Sequence, residues 1–313
     1  MFTIVMQLCL VLCMLIFEVL DYRYIKLLCA IFHIISQRIE PLTLCKEMQY
    51  YKSMKFSKKI SDCFKKHYLI SLVILYIGIF TIWLIIGFIW YGLLSGLITS
   101  ALIIIIAKIT GYINVFGFRK RNIQEGLILG FPAIFAGVYT LFISFAYIRH
   151  IGFFGPNYDI AGKTAIYILG TGLFEELFMR GIILNILIIN CKKNKLFSII
   201  IAASISGISH LVNLINRTEY IIAIISQMSY TIVMGIFFSV IYLKYGNIWS
   251  IIIIHILFNL MGLIPFALFS HHEFFYMLHS EKIIAVIDQL IAIPYLVYSF
   301  YLYKNIEKME NST

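Results

Sequence analysis

Six side chains of this chain could do chemistry together: Glu175, Glu176, Arg180, His210, His255 and Asn259. The first three stand in Gly172-Leu173-Phe174-Glu175-Glu176-Leu177-Phe178-Met179-Arg180-Gly181, inside an otherwise uncharged run from Thr164 to Asn190. On a helix Glu176 and Arg180 are i and i+4, so they share a face and can pair. Glu175 is turned about 100° from its neighbour and is free to face something else. His210 closes the stretch Ser206-Gly207-Ile208-Ser209-His210, and His255 with Asn259 again stand i and i+4 on one helical face. A carboxylate in a partly dry cavity can act as a base toward water near neutral pH. A neutral imidazole beside it can fix that water. A second imidazole with an amide NH2 offers donors to an oxyanion, usually the largest factor in acyl transfer. No Ser or Cys stands in an obvious nucleophile setting, so direct attack by water is the natural reaction class. Glu175, His210 and His255 would also make three protein ligands for zinc. No HExxH helix is present, however, so zinc is permitted but not demanded and no cofactor is required.

These groups are unusual because of where they sit. The chain of 313 residues is 61% hydrophobic and 13% charged, with mean hydropathy +0.93. Soluble globular chains carry about 25% charged residues, so this composition belongs to a polytopic membrane protein. Six cysteines form no CxxC pair and no metal-ligand spacing, and we expect free thiols. Residues 2–17 form an apolar run with no basic leader and no small-residue cleavage site, expected to remain as an N-terminal anchor helix. The segment 36–67 carries eight Lys or Arg against three acids and reads as a cytoplasmic linker touching anionic lipid. The chain thus divides into 1–67, hydrophobic segment and basic linker, and 68–313, a membrane-embedded bundle.

From Tyr68 to Ala107 there is no charge, a length that as one helix would be about twice the hydrocarbon thickness. It must fold into two spans, and Gly92 and Gly96 suit the turn. Further spans are expected at 126–148, 164–190, 196–215, 220–243, 247–270 and 283–303. The fold class is therefore all-α, a polytopic integral membrane bundle of eight core transmembrane helices plus an N-terminal extra helix. Alternating segments hold 18 basic residues on one side and only Arg149, Lys163, Arg217 and Lys282 on the other. That bias puts the basic loops and the C-terminus in the cytoplasm. It also removes nucleic acid as a partner, since the net charge of +10 is topological. The partners expected are membrane lipid and a membrane-anchored peptide or protein, and the expected location is a bacterial cell membrane.

From residue 68 onward the spans contain only six ionisable groups: Glu175, Glu176, Arg180, His210, His255 and Asp288. Such groups are costly in a bilayer and mark functional sites by default. For Asp288 a structural hydrogen bond is expected. Asn185, Asn190, Asn213, Gln227 and Gln289 read as interhelical hydrogen-bonding residues.

At the three motifs, 175–180, 206–210 and 255–259, the chain resembles the CPBP family. These intramembrane endopeptidases include the type II CAAX prenyl proteases and bacterial abortive-infection and bacteriocin-immunity proteins. The family pattern is EExxxR, then FxxxH, then HxxxN or HxxxD on three separate spans. Glu175-Glu176 with Arg180, then His210, then His255 with Asn259 follow it in order. Ser206 departs from it, standing where the family has Phe. The resemblance implies a peptide bond hydrolysed by glutamate-activated water. Glu175 would be the general base, His210 the water-positioning partner, and His255 with Asn259 the oxyanion site. Glu176 and Arg180 would be mainly architectural. The alternative is a non-catalytic immunity or scaffold protein of the same fold that binds a peptide or sensor. A proton-coupled transporter fits less well, because no inverted repeat is evident.

Counting rises from the span ends puts Glu175, His210 and His255 at about mid-membrane, within one shared depth. Access is then expected from the cytoplasm or laterally from lipid. Single cysteines in a cysteine-free background test the topology. Positions 55 and 120 should react with an impermeant maleimide only from the cytoplasmic side, and 157 and 272 only from outside. Labelling of 120 and 157 from the same face would break the arrangement of spans.

Overall fold

The structure is a computed structural model, and it describes residues 67–89, 95–152, 155–190, 195–215, 217–269 and 273–311. The expected N-terminal anchor helix and nearly all of the basic linker lie outside the described residues. Within them the chain is helical and has no strand. In lipid a helix satisfies every backbone N–H and C=O within itself, which is why uninterrupted apolar runs take this form.

In chain order the helices are α1 (Tyr68–Ile89), α2 (Ser95–Thr110), α3 (Ile123–Ile151) and α4 (Tyr158–Glu176). A π-helical stretch, Leu177–Leu184, continues α4 directly into α5 (Asn185–Asn190). Then come α6 (Lys195–Ser209), a 3₁₀ stretch His210–Ile215, α7 (Ile221–Tyr245), α8 (Ile248–Phe269), α9 (Glu273–Ser280) and α10 (Lys282–Asn311). Six helices among the described residues are long and apolar enough to cross a membrane. Two of the eight expected core spans are not among them. At 16 residues α2 falls short of the roughly 20 a crossing needs, and the expected span 164–190 is divided among α4, the π stretch and α5.

The helices pack by their small residues and turn their large apolar ones outward. On α3, Gly126, Gly130, Ala133 and Gly137 are buried, while Ile128, Phe131, Phe135 and Phe142 are exposed. This inversion suits a lipid environment, where bulky apolar side chains gain nothing by hiding and close backbone approach holds helices together. α8 lies against both α3 and α4, and α7 against both α6 and α10. One end of the bundle is tied shut around Asn247. Its side chain accepts from the backbone N–H of Trp249 and Ser250 at the start of α8, and donates to the carbonyls of Arg119 and Arg121 in the loop before α3. Gly246, in the left-handed region at φ 58°, ends α7 beside it.

Gly96 is not at a turn but inside α2, because there the helix crosses α4 with backbones nearly touching. A Cβ on Gly96 would lie 2.2 Å from the carbonyl carbon of Gly170. Gly96→Ala should therefore reduce folded protein in detergent, by roughly 1–3 kcal/mol or more as overpacking against backbone costs. Gly78→Ala, where a Cβ meets nothing within 4 Å, should leave the melting temperature near wild type. Equal melting temperatures for the two variants would contradict the crossing.

Candidate active site

The acid pair is carried where α4 passes into the π stretch. Close approach of α4 to α8 sets its neighbour, since a Cβ on Gly172 would come 2.7 Å from Cγ1 of Ile256. This contact brings His255 onto the carboxylates. Nδ1 of His255 lies 2.6 Å from Oε1 of Glu176, and Nε2 lies 3.6 Å from Oε2 of Glu175. Arg180 donates to the same Oε1 of Glu176 at 3.0 Å and to the carbonyl of Gly235 on α7 at 3.2 Å. A carboxylate oxygen that accepts from a guanidinium can accept a second hydrogen bond from an imidazole N–H. Phe238 closes the far side, 5.7 Å from the guanidinium and 5.8 Å between rings from His255.

The backbone beneath these groups is adjusted to hold them. A π-helical stretch bonds i to i+5 and leaves carbonyls short of their usual donors. The side-chain amide of Asn185 supplies donors to the carbonyls of Arg180 and Gly181, at 2.9 and 3.0 Å, and reaches Tyr242 on α7 at 2.8 Å. Tyr242 passes the chain on to the carbonyl of Val115. Asn185 is thus a support of its own helix as well as an interhelical residue. Asn213 with Gln227, and Gln289 with Ser226, are interhelical as expected.

His210 sits where α6 tightens into its 3₁₀ stretch. Glu175, Glu176, Arg180, His210, His255 and Asn259 all line one cavity of about 640 Å³, so the three motifs meet in space as well as in order. Ser206 lines it too, buried and small. The cavity's aromatic wall comes instead from Phe80 and Trp83 of α1 stacked with Phe174. Trp83 Nε1, Tyr139 Oη and Glu176 Oε2 are buried without a hydrogen-bond partner, and all three residues line this cavity. Polar atoms in that condition ordinarily have a water or a ligand to meet. Among the described residues no group of three or more His, Cys, Asp or Glu side chains gathers as metal ligands would.

Two features were outside the sequence reading. Glu176, expected to be mainly architectural, also fixes the ring of His255, which its spacing to Arg180 alone did not reveal. The cavity is also one-sided. Its lining on α4 and the π stretch runs from Tyr167 to Arg180, on α7 from Gln227 to Phe238 and on α8 from His255 to Leu263, with nothing from the ends that carry the basic loops. It extends to the opposite end, where Arg217, Tyr276 and His279 line it. At the basic-loop end Asn185, Tyr242 and Asn247 are buried and stand outside its lining. Asp288 does make a hydrogen bond, to His279 Nδ1 at 2.6 Å, and lines the cavity.

Residues 159–261, a third of the chain, match the family model described as type II CAAX prenyl endopeptidase Rce1-like. The matched segment contains all six site residues and agrees with the CPBP resemblance of the three motifs. At a coarse level the match supports a membrane protease. No curated protein and no solved structure matches the chain.

The shared oxygen of Glu176 makes a stability prediction. Arg180→Ala removes one partner of a buried pair, at a cost of about 3–5 kcal/mol. Membrane abundance should fall sharply, and the double change Glu176→Gln with Arg180→Gln should restore more protein than Arg180→Ala retains. A normally abundant but inactive Arg180→Ala protein would move the guanidinium from support to chemistry.

Proposed function

We propose that the chain is an intramembrane endopeptidase of the CAAX prenyl endopeptidase type, cleaving a membrane-associated, prenylated peptide with water as nucleophile. The observation that carries this reading is the meeting of two carboxylates, two imidazoles and an amide on one cavity inside a membrane bundle. The protease family model covering the same residues supports it.

Glu175 is the base. Of the two carboxylates, it is the one not bound to Arg180, and it is partly exposed to the cavity while Glu176 is fully buried. It takes a proton from a water that His210 holds on the other side, and the hydroxide forms a bond to the scissile carbonyl carbon. The carbonyl oxygen becomes an oxyanion that accepts from Asn259 and from Nε2–H of His255. That second proton makes His255 an imidazolium, whose charge faces Glu176 on one side and, once Glu175 holds the water's proton, the oxyanion on the other. Glu175 then returns its proton to the leaving amine as the C–N bond breaks. Removing one oxyanion donor of this kind typically costs about 10²–10³ in kcat. No step passes through a metal.

Glu175→Gln keeps the shape of the side chain and removes its basicity. The variant should insert and accumulate like wild type yet release no product from an S-farnesylated peptide, measured by mass spectrometry in nanodiscs. Asn259→Ala should retain slow cleavage. Wild-type turnover by Glu175→Gln would end the general-base assignment and favour a protein that binds without cleaving.

A further inference from the structure

The cavity end opposite the basic loops carries a cation that the reaction does not use. Arg217 comes just after the 3₁₀ stretch His210–Ile215 and is half-buried, with its guanidinium 4.7 Å from the ring centroid of Tyr276 on α9. Stacking on an aromatic face holds the plane of an arginine while leaving its edge of N–H donors free. The cavity's other guanidinium, Arg180, is neutralised by Glu176. The carboxylate at Arg217's end of the cavity, Asp288, is bound by His279. Among the described residues no carboxylate forms an ion pair with Arg217. Its guanidinium thus lines this end of the cavity without an ion-pair partner. A planar fork of this kind matches a carboxylate with two parallel hydrogen bonds.

Resting on the endopeptidase reading above, we propose that Arg217 binds the C-terminal carboxylate of the peptide substrate and so sets where the chain is cut. The distance suits this. At a 3₁₀ rise of about 2.0 Å per residue, the six residues His210–Ile215 span about 12 Å, and Arg217 comes just past their end. An extended peptide rising about 3.3 Å per residue covers that with roughly four residues. Between the two ends the cavity presents Tyr167, Asn213, Gln227 and Tyr230, groups that can bond a peptide backbone along its length. A free C-terminus docked on Arg217 thus delivers a bond a few residues upstream to Glu175. An internal segment of a longer chain, with no terminal charge, has no such anchor.

Binding to the full-length Glu175→Gln protein in phosphatidylcholine nanodiscs tests this without turnover. The probe is a fluorescein-labelled, S-farnesylated cysteinyl tetrapeptide, prepared with a free C-terminus and as its C-terminal amide, read by anisotropy. The free acid should bind at least about tenfold more tightly than the amide. Adding Arg217→Gln should erase that difference while leaving amide binding unchanged, which also shows the variant is folded. An acid preference that survives Arg217→Gln, or equal binding of acid and amide before that change, overturns the assignment while the endopeptidase reading stands. Binding of neither peptide removes the prenylated-peptide reading and this inference together. Nanodiscs containing phosphatidylglycerol distinguish a lipid phosphate as the anion. Loss of acid binding there, relieved by Arg217→Gln, would make Arg217 a lipid site instead.

Discussion

The site depends on one fully buried carboxylate. Glu176 is shielded from solvent, and an ion left alone in such surroundings would be prohibitively costly. Two partners on a single oxygen meet that cost, the guanidinium of Arg180 from the next turn and the ring of His255 from α8. Each is held in turn by something else: Arg180 by the carbonyl of Gly235, His255 by the close crossing of α4 and α8. Gly235 is itself constrained, because a Cβ there would meet Ala203 at 3.0 Å and the guanidinium at 3.4 Å. The ion pair thus links α4, α7 and α8, with α6 pressing on the glycine from behind. Its second oxygen is buried without a protein partner.

Around that link the bundle is built in two unlike halves. Toward the basic loops it is filled, with Phe116 packed over Gly181, Tyr242 joined to Asn185 and Val115, and Asn247 clamping the turn between α7 and α8. Toward the other end, where the same helices part around the cavity, tyrosines and amides replace packed aliphatic side chains along its lining. The charged groups of the site stand at the boundary between these halves. The filled half fixes their geometry and the open half gives them something to act on.

Much of this was readable from residue types and spacing alone. The low charge and high hydropathy gave the membrane class, and the i, i+4 relation of Glu176 and Arg180 gave their pairing. The three motifs gave one site, because ionisable groups are rare enough in apolar spans that their co-occurrence carries meaning. Other features were not readable, for definite reasons. Depth along a span says nothing about which half of a bundle is packed, so the direction of the cavity could not be foreseen. Gly96 resembled a turn because glycine serves both turns and close helix crossings. Glu176 resembled a simple partner of Arg180 because sequence spacing registers neighbours on one helix, not an imidazole arriving from another. Arg217 was counted only as a loop charge, and its meeting with Tyr276 of α9 depends on tertiary structure alone.

The π stretch Leu177–Leu184 gives the long helix a joint in its phase. A ladder that closes on the fifth residue holds more residues per turn than an α-helix, so α5 is rotated relative to α4. The acid pair stands at the beginning of that stretch and Asn185 and Asn190 stand beyond it, facing Tyr242 and Tyr112. One residue fewer in the stretch would turn the later segment by about 100° and carry both asparagines off their tyrosines, with Glu175 and Glu176 left in place. The helix can therefore satisfy two sets of neighbours whose directions no single α-helical register would serve.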